Sequence, residues 1–295
     1  MNQETINNLN NLNQKFYDQV GSKIWNQSQD YSWQGWFDLV VNFEQLYSNS
    51  RTIKFLDLGC GNARFANFLR QNLQPEFLQR TSYTGVDFSN EFLDNFDKEI
   101  SGSFENLELL NIDILKDLDK LKSQKFDCIV LFGLIHHIPS VEIRNNFIKE
   151  VSELLSENGI LVFTTWEYMN SSRLSKRVLD LGTLESQEVL RSLNINKNEL
   201  EHGDNILDWI KVTKSYRYSH SFEVVEIKEY LANANLELRR EFYNDGRSSR
   251  RNKYYICGKN TKNSEDETDF IKKDKELYER LLKYQNQAST ISKLF

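Results

Sequence analysis

Apolar residues recur at two different periods along this chain, and the change of period marks its organisation. Ile6, Leu9, Leu12, Phe16 and Val20 are spaced as on one helix face, and Trp36, Leu39, Val40, Phe43 and Leu46 repeat the pattern. Residues 1–50 therefore read as a helical segment, interrupted by the polar, aromatic-bearing stretch Gln27-Ser-Gln-Asp-Tyr-Ser-Trp33. From residue 51 the pattern shortens to apolar runs at Lys54–Cys60, Tyr83–Phe88, Leu107–Asp113, Phe126–Leu134 and Gly159–Trp166, which read as strands. Amphipathic stretches separate them, Val141–Leu155 being the clearest. Strands alternating with helices predict a parallel sheet covered on both faces, the doubly wound α/β architecture.

Residues 167–222 break the alternation, show little continuous strand character, and read as an insertion capping the sheet. Helical spacing returns over Glu223–Ala234. Leu236–Tyr243 and Lys253–Gly258 then read as strands joined by the reversal Asn244-Asp-Gly-Arg-Ser-Ser-Arg250. The order predicts a Rossmann-like sheet of seven strands with the last antiparallel, occupying residues 51–260. Beyond it, residues 261–295 are charge-rich with apolar positions at Phe270, Leu277, Leu281 and Leu282, and read as an exposed helical tail.

Composition narrows the function classes. With 39% apolar and 13% aromatic residues the chain can bury a core, which excludes global disorder. Its longest apolar run, Cys128–Ile135, is too short to span a bilayer, and no membrane partner is expected. The N-terminus lacks the basic-then-apolar layout of a signal peptide. Cys60, Cys128 and Cys257 are isolated from one another, so reduced thiols in a cytoplasm are expected, with no disulfide framework and no metal site. The net charge of −6 argues against nucleic acid, yet Lys211–Lys259 holds eleven Lys/Arg against six Asp/Glu, a local +5. A basic face on an acidic protein is compatible with RNA, or is an ordinary solvated surface.

The strongest chemical signal is Phe55-Leu-Asp-Leu-Gly-Cys-Gly-Asn-Ala-Arg64. An apolar strand runs into Gly59 and Gly61 and a helix follows, so backbone and free N–H groups can approach a ligand closely. A dinucleotide fingerprint would place a third glycine where Arg64 stands, and it would not explain Asp57. A carboxylate two residues before the first glycine suits a cationic ligand, such as the ammonium or sulfonium of S-adenosylmethionine. Asp87, closing Tyr83-Thr-Gly-Val-Asp87, can accept both hydroxyls of a ribose from the end of the second strand. Asp113, closing Leu109-Leu-Asn-Ile-Asp113, can accept from an adenine amino group, although either acid can instead cap a following helix.

Asp57-Leu-Gly-Cys-Gly-Asn62, Gly85-Val-Asp-Phe-Ser89, Asn111-Ile-Asp113, Phe126-Asp-Cys-Ile-Val130 and Glu157-Asn-Gly-Ile-Leu161 together resemble the class I S-adenosylmethionine-dependent methyltransferases, from about Lys54 to Lys259. The resemblance implies S-adenosylmethionine as cofactor. It places Asp57, Gly59, Cys60, Gly61, Asn62, Arg64, Asp87, Phe88, Asp113, Ile114, Phe132 and Gly133 around it.

The substrate side is marked by Leu134-Ile-His-His-Ile-Pro139, immediately after the fourth strand. His136 or His137 can serve there as base, as hydrogen-bonding orienter, or as packing under the cofactor. In the insertion, Gly203-Asp-Asn-Ile-Leu-Asp-Trp209 precedes Arg217-Tyr-Ser-His-Ser-Phe222. Together with the histidine pair and the aromatic Phe16, Tyr17, Trp33 and Trp36, these elements resemble the methyltransferases that esterify 5-carboxymethyluridine at the tRNA wobble position. That resemblance implies a tRNA partner and a site of His136, His137, Arg217, Tyr218 and His220, with Arg217 able to hold the substrate carboxylate. It also raises a small activator protein, with which eukaryotic members of that family work. Asn62-Ala-Arg64 and Gln29-Asp30 depart from the family's Asn-Gly-Lys/Arg and Thr-Arg patterns.

The cluster Arg239, Arg240, Arg247, Arg250, Arg251 and Lys253, with Tyr243, Tyr254 and Tyr255, is a fair phosphate-and-base surface, although strand alternation turns part of it inward. Two other functions compete: a small-molecule O- or N-methyltransferase whose insertion is a lid, and a non-catalytic cofactor-binding subunit.

Overall fold

The structure, a computed structural model, describes residues 1–21, 32–46, 52–209 and 215–260. The sequence expectations for the 261–295 tail and for Gln29-Asp30 lie outside the described residues. Seven strands form the main sheet: β1 (Ile53–Leu58), β2 (Thr81–Asp87), β3 (Asn106–Asn111), β4 (Phe126–Leu131), β5 (Leu155–Trp166) and, after the insertion strands β6 (Asp204–Trp209) and β7 (Ser215–His220), β8 (Leu236–Asn244) and β9 (Asn252–Lys259). Their order is β3-β2-β1-β4-β5-β9-β8. The first five run parallel, and β9 is antiparallel to both β5 and β8. The predicted Rossmann-like sheet with an antiparallel last strand is the observed one.

Central strands buried on both faces need no polar side, which is why β1 and β4 read as continuous apolar runs. On one face Leu56, Leu58, Ile129, Leu131, Leu161 and Phe163 pack with helices α4 (Val141–Leu154) and α6 (Val224–Asn233). On the other, Phe55, Cys128, Val130, Ile160 and Val162 pack with α2 (Gln34–Leu46) and α3 (Arg64–Asn72), through Trp36, Leu39, Phe43, Phe65 and Phe68. Sequence order reverses between β1 and β4, and a ligand crevice opens there beyond the carboxyl ends of the strands.

Helix α1 (Gln3–Phe16) starts where the Asn2 side chain accepts the Thr5 amide at 2.8 Å, and it continues into a π-helical turn, Tyr17–Gly21. It packs on the insertion rather than on the sheet, with Leu9 and Leu12 against Leu190 of α5 (Leu184–Ser192), Ile195, Ile206 and Tyr218. The expectation of little strand character in the insertion is corrected, since β6 and β7 form a two-stranded antiparallel sheet pairing Asp204 with His220 and Leu207 with Arg217. These strands hide their periodicity because much of what they bury is polar. Asp204, Arg217, Ser219 and His220 are all buried, and Asp204 and His220 bond to each other. Among the described residues no helix is long and apolar enough to cross a membrane.

Candidate functional site

One cavity of about 780 Å³ lies at the crevice, lined by the turns after β1, β2, β3 and β4, by α1, and by the insertion. After β1 the chain reverses through Gly59 and Gly61 at φ +76° and +56°, a region other residues enter only with strain. Gly59 and Cys60 donate their amides to the Val86 carbonyl at 2.8 and 3.0 Å. Gly61 donates to Asp87 Oδ2 at 3.0 Å, and the Ser89 amide donates to Oδ1 at 2.9 Å. The Asp87 carboxylate is thereby aimed before any ligand arrives. Burial pushes its carboxyl up, opposed by the backbone donors of Ser89, Gly61 and Phe88.

Cys60, Asn62, Arg64, Phe88, Asp113, Ile114, Phe132 and Gly133, the other residues expected around the cofactor, line the same cavity. Asn62 is buried and its Nδ2 has no partner among the described residues. A Cβ on Gly61 would meet nothing within 4 Å, so that turn faces open space. Asp113 carries a second duty: Oδ1 accepts the Leu115 amide at 3.1 Å and Oδ2 pairs with Lys116 at 2.6 Å.

Asp57 requires a correction, because it does not line the cavity. It shares a face of β1 with Phe55, behind the glycine turn, where it is 2% exposed and accepts the Tyr83 hydroxyl at 2.5 Å. Burial raises its carboxyl to about 7, against the Tyr83 bond and Arg64 and with the help of Asp87.

The substrate half is built from the turn after β4, from β7 and from α1. Arg217 is 5% exposed and its guanidinium carbon lies over three rings, at 4.3 Å from Trp166, 4.9 Å from Trp209 and 5.2 Å from Phe16. Among the described residues its Nε has no hydrogen-bond partner and it forms no ion pair. A desolvated cation without a counter-ion is costly, so the site is primed for an anion. His136 is buried with Nδ1 unpartnered among the described residues; burial first, then His137, Arg217 and His220, hold it well below the ordinary histidine range. His137 places Nδ1 at 3.0 Å from the Tyr218 carbonyl and Nε2 at 2.6 Å from the Tyr17 hydroxyl. Burial and the Arg217 charge push it down to about 3.

Tyr218 and His220, predicted beside Arg217, face the other way, because successive side chains of a strand alternate. Neither lines the cavity. The Tyr218 hydroxyl donates to Asp204 Oδ1 at 2.6 Å, and His220 bonds Asp204 at 2.7 Å and Glu226 at 2.9 Å. Arg144, fully buried on α4, completes this ionic cluster with Glu226 at 3.2 Å and Glu201 at 3.4 Å, and also donates to Tyr230 and to the Ile138 carbonyl. In the basic cluster, Arg251 lines the cavity, Lys253 turns inward to pair with Glu241 at 3.0 Å, and the Tyr254 hydroxyl is bound to Asp245.

Sequence reading named Phe16 and Tyr17 but missed the polar stripe of α1. Asn10, Asn13, Gln14 and Tyr17 line the cavity at the spacing of one helix face. Asn13 ties the site together, donating to the His137 carbonyl at 3.2 Å and accepting the Tyr218 amide at 2.8 Å. A search for polar as well as apolar periodicity would have found this stripe.

Residues 56–161 match the family model described as a methyltransferase domain. A stretch of 117 residues, 39% of this chain, is 27% identical to the ubiquinone biosynthesis O-methyltransferase of Pelagibacter ubique, and spans 42% of that protein. An S-adenosylmethionine-dependent methyltransferase from Clostridium acetobutylicum superposes with a TM-score of 0.53 at 16% identity, covering 84% of this chain and 98% of that one. The magnesium protoporphyrin IX methyltransferase of Synechocystis, with S-adenosylmethionine bound, gives 0.52 at 11% identity over 83% of this chain and 94% of that one. The fold is shared with S-adenosylmethionine-dependent methyltransferases, and the glycine turn lies within the matched residues 56–161.

The residues present fit that cofactor. Asp87 offers an aimed carboxylate for ribose hydroxyls, Asn62 an unpaired buried amide, and Phe88, Ile114 and Phe132 apolar surface for a base. Asp87→Ala should weaken S-adenosylmethionine binding by about 1–3 kcal/mol, the cost of leaving hydroxyls unpaired. Calorimetry is the measurement, and an unchanged affinity would remove Asp87 from the site.

Proposed function

We propose that this chain is a cytoplasmic methyltransferase that esterifies a carboxylate, that of 5-carboxymethyluridine at the wobble position of tRNA. The observation that carries the reading is the buried Arg217 guanidinium, boxed by aromatic rings and lacking an ion pair among the described residues. The motif Arg217-Tyr-Ser-His-Ser-Phe222 and the histidine pair add the resemblance to the wobble-uridine enzymes. Lys116, Lys120, Arg173 and Arg251 line the same cavity and offer cations to a phosphate backbone.

When bound, S-adenosylmethionine supplies an electrophilic methyl group on a sulfonium. Arg217 presents a planar fork that matches a carboxylate in two parallel bonds, and the rings around it keep water away. A carboxylate is ionised near neutral pH, its ordinary pKa being about 4, so no proton has to be removed. His136 and His137, both held neutral, are poor proton acceptors and serve to enclose and orient. Alignment carries the rate in such a site.

The test is mass spectrometry of nucleosides from tRNA incubated with the protein and labelled S-adenosylmethionine, with and without a small activator protein. The expected product is the methyl ester of carboxymethyluridine, formed with a kcat nearly flat from about pH 7 to 9. A second reading, a small-molecule O-methyltransferase, is favoured by the similarity to the ubiquinone biosynthesis enzyme. Label appearing only in a phenolic acceptor, with a rate that climbs with pH, would replace the first reading by the second.

A further inference from the structure

We propose that Tyr17 is a positioning residue of this site, its phenol donating to His137 and accepting from Arg217, so that the guanidinium is held ready for an anion. The inference rests on the reading that the cavity takes a carboxylate. Donor directions follow from the contacts. His137 Nδ1 lies 3.0 Å from the Tyr218 carbonyl, which can only accept, so Nδ1 carries the ring proton. Nε2 of the neutral ring is then a bare acceptor, and the hydroxyl 2.6 Å away must be the donor.

With its proton committed to His137, the phenol oxygen has lone pairs left for the neighbouring guanidinium, with which it interacts. The consequence is chemical. Tyr17 stays a neutral phenol, so it orients Arg217 without cancelling its charge. Arg217 is also packed from below, where Phe16 lies edge-on to Tyr17 at 5.3 Å and to Trp209 at 5.9 Å. Tyr17 also begins the π-helical turn that follows α1, a local departure from α-helical hydrogen bonding that recurs at functional sites.

Tyr17→Phe keeps the ring and removes the hydroxyl, and is made in the full chain alone and with Arg217→Lys. The first readout needs no substrate. In the nitrogen-15 spectrum the His137 Nε2 resonance should shift toward that of an unbonded ring nitrogen. The second is kinetic: Tyr17→Phe should raise KM for the carboxylate substrate about tenfold with a smaller change in kcat. In the Arg217→Lys background it should add almost nothing, since Tyr17 acts through Arg217. Losses that multiply across the two variants, or an unmoved His137 resonance, overturn the proposal. If no carboxylate accepts methyl at all, the carboxylate reading fails and the resonance alone decides: a shift supports the Tyr17 contact, its absence sinks it.

Discussion

Arg217→Lys should lower kcat/KM toward a carboxylate substrate by about 10–100-fold while leaving S-adenosylmethionine affinity almost unchanged. Lysine keeps the charge, so the result isolates geometry. The guanidinium stacks on Trp166 and Trp209 at 4.3 and 4.9 Å, and its flat face is what those rings hold. An ammonium is a compact, strongly hydrated charge that loses this stacking and offers no paired donors. It would also enter a pocket in which the Arg217 cation already lacks a counter-ion among the described residues, so desolvation costs it more. Steady-state kinetics beside calorimetry of cofactor binding make the comparison. Equal kcat/KM in both proteins would mean a neutral substrate or a different anchor.

The largest effect on stability should come from Arg144→Met, a loss of about 3–5 kcal/mol in chemical denaturation at neutral pH. Methionine fills the space but leaves Glu226 and Asp204 in a buried cluster short of one cation. The charge balance there is tight. Burial alone would lower His220, yet its bonds to Asp204 and Glu226 outweigh that and raise it. Burial alone would raise Glu226, yet His220, Tyr230 and Arg144 bring it down to about 2.

Each shift has its own pH window. A raised histidine adds stability that is full below its unfolded value of about 6.5 and is lost as pH climbs through the folded value. A depressed Glu226 adds stability that is present above about 4.5 and is lost as pH falls toward about 2. The wild type should therefore be most stable in mildly acidic solution and weaken on both sides. A loss below about 1 kcal/mol in Arg144→Met would show that the cluster does not depend on its guanidinium.

The cofactor half of the site was readable because its information is local. A strand, two glycines at positive φ, a helix start and an acid at the next strand end all follow one another within Phe55–Asp87. The order of strands and helices likewise announced the sheet, since alternation at that spacing has few compact solutions. The sharp reversal between β8 and β9 announced the antiparallel pair.

Other features depend on parity and partnership, which no local pattern carries. Arg217, Tyr218 and His220 read as one constellation, but a strand sends neighbours to opposite faces, and only the pairing of β7 with β6 and α1 decides which face meets the cavity. Asp57 was assigned to the ligand for its place before Gly59, whereas the sheet turns it toward Tyr83. The hairpin Asp204–His220 escaped notice because buried Asp204, Arg217, Ser219 and His220 interleave polar positions with the apolar Ile206, Leu207 and Tyr218. The docking of α1 on the insertion, which brings Asn13 and Tyr17 to His137, joins residues more than a hundred positions apart. Sequence alone therefore determined the sheet and the glycine turn, because periodicity and short-range geometry encode them, while Arg217 was named through the resemblance of its motif. Tertiary structure alone decided which side chains meet in the substrate half, because that depends on strand register and on contacts between distant segments.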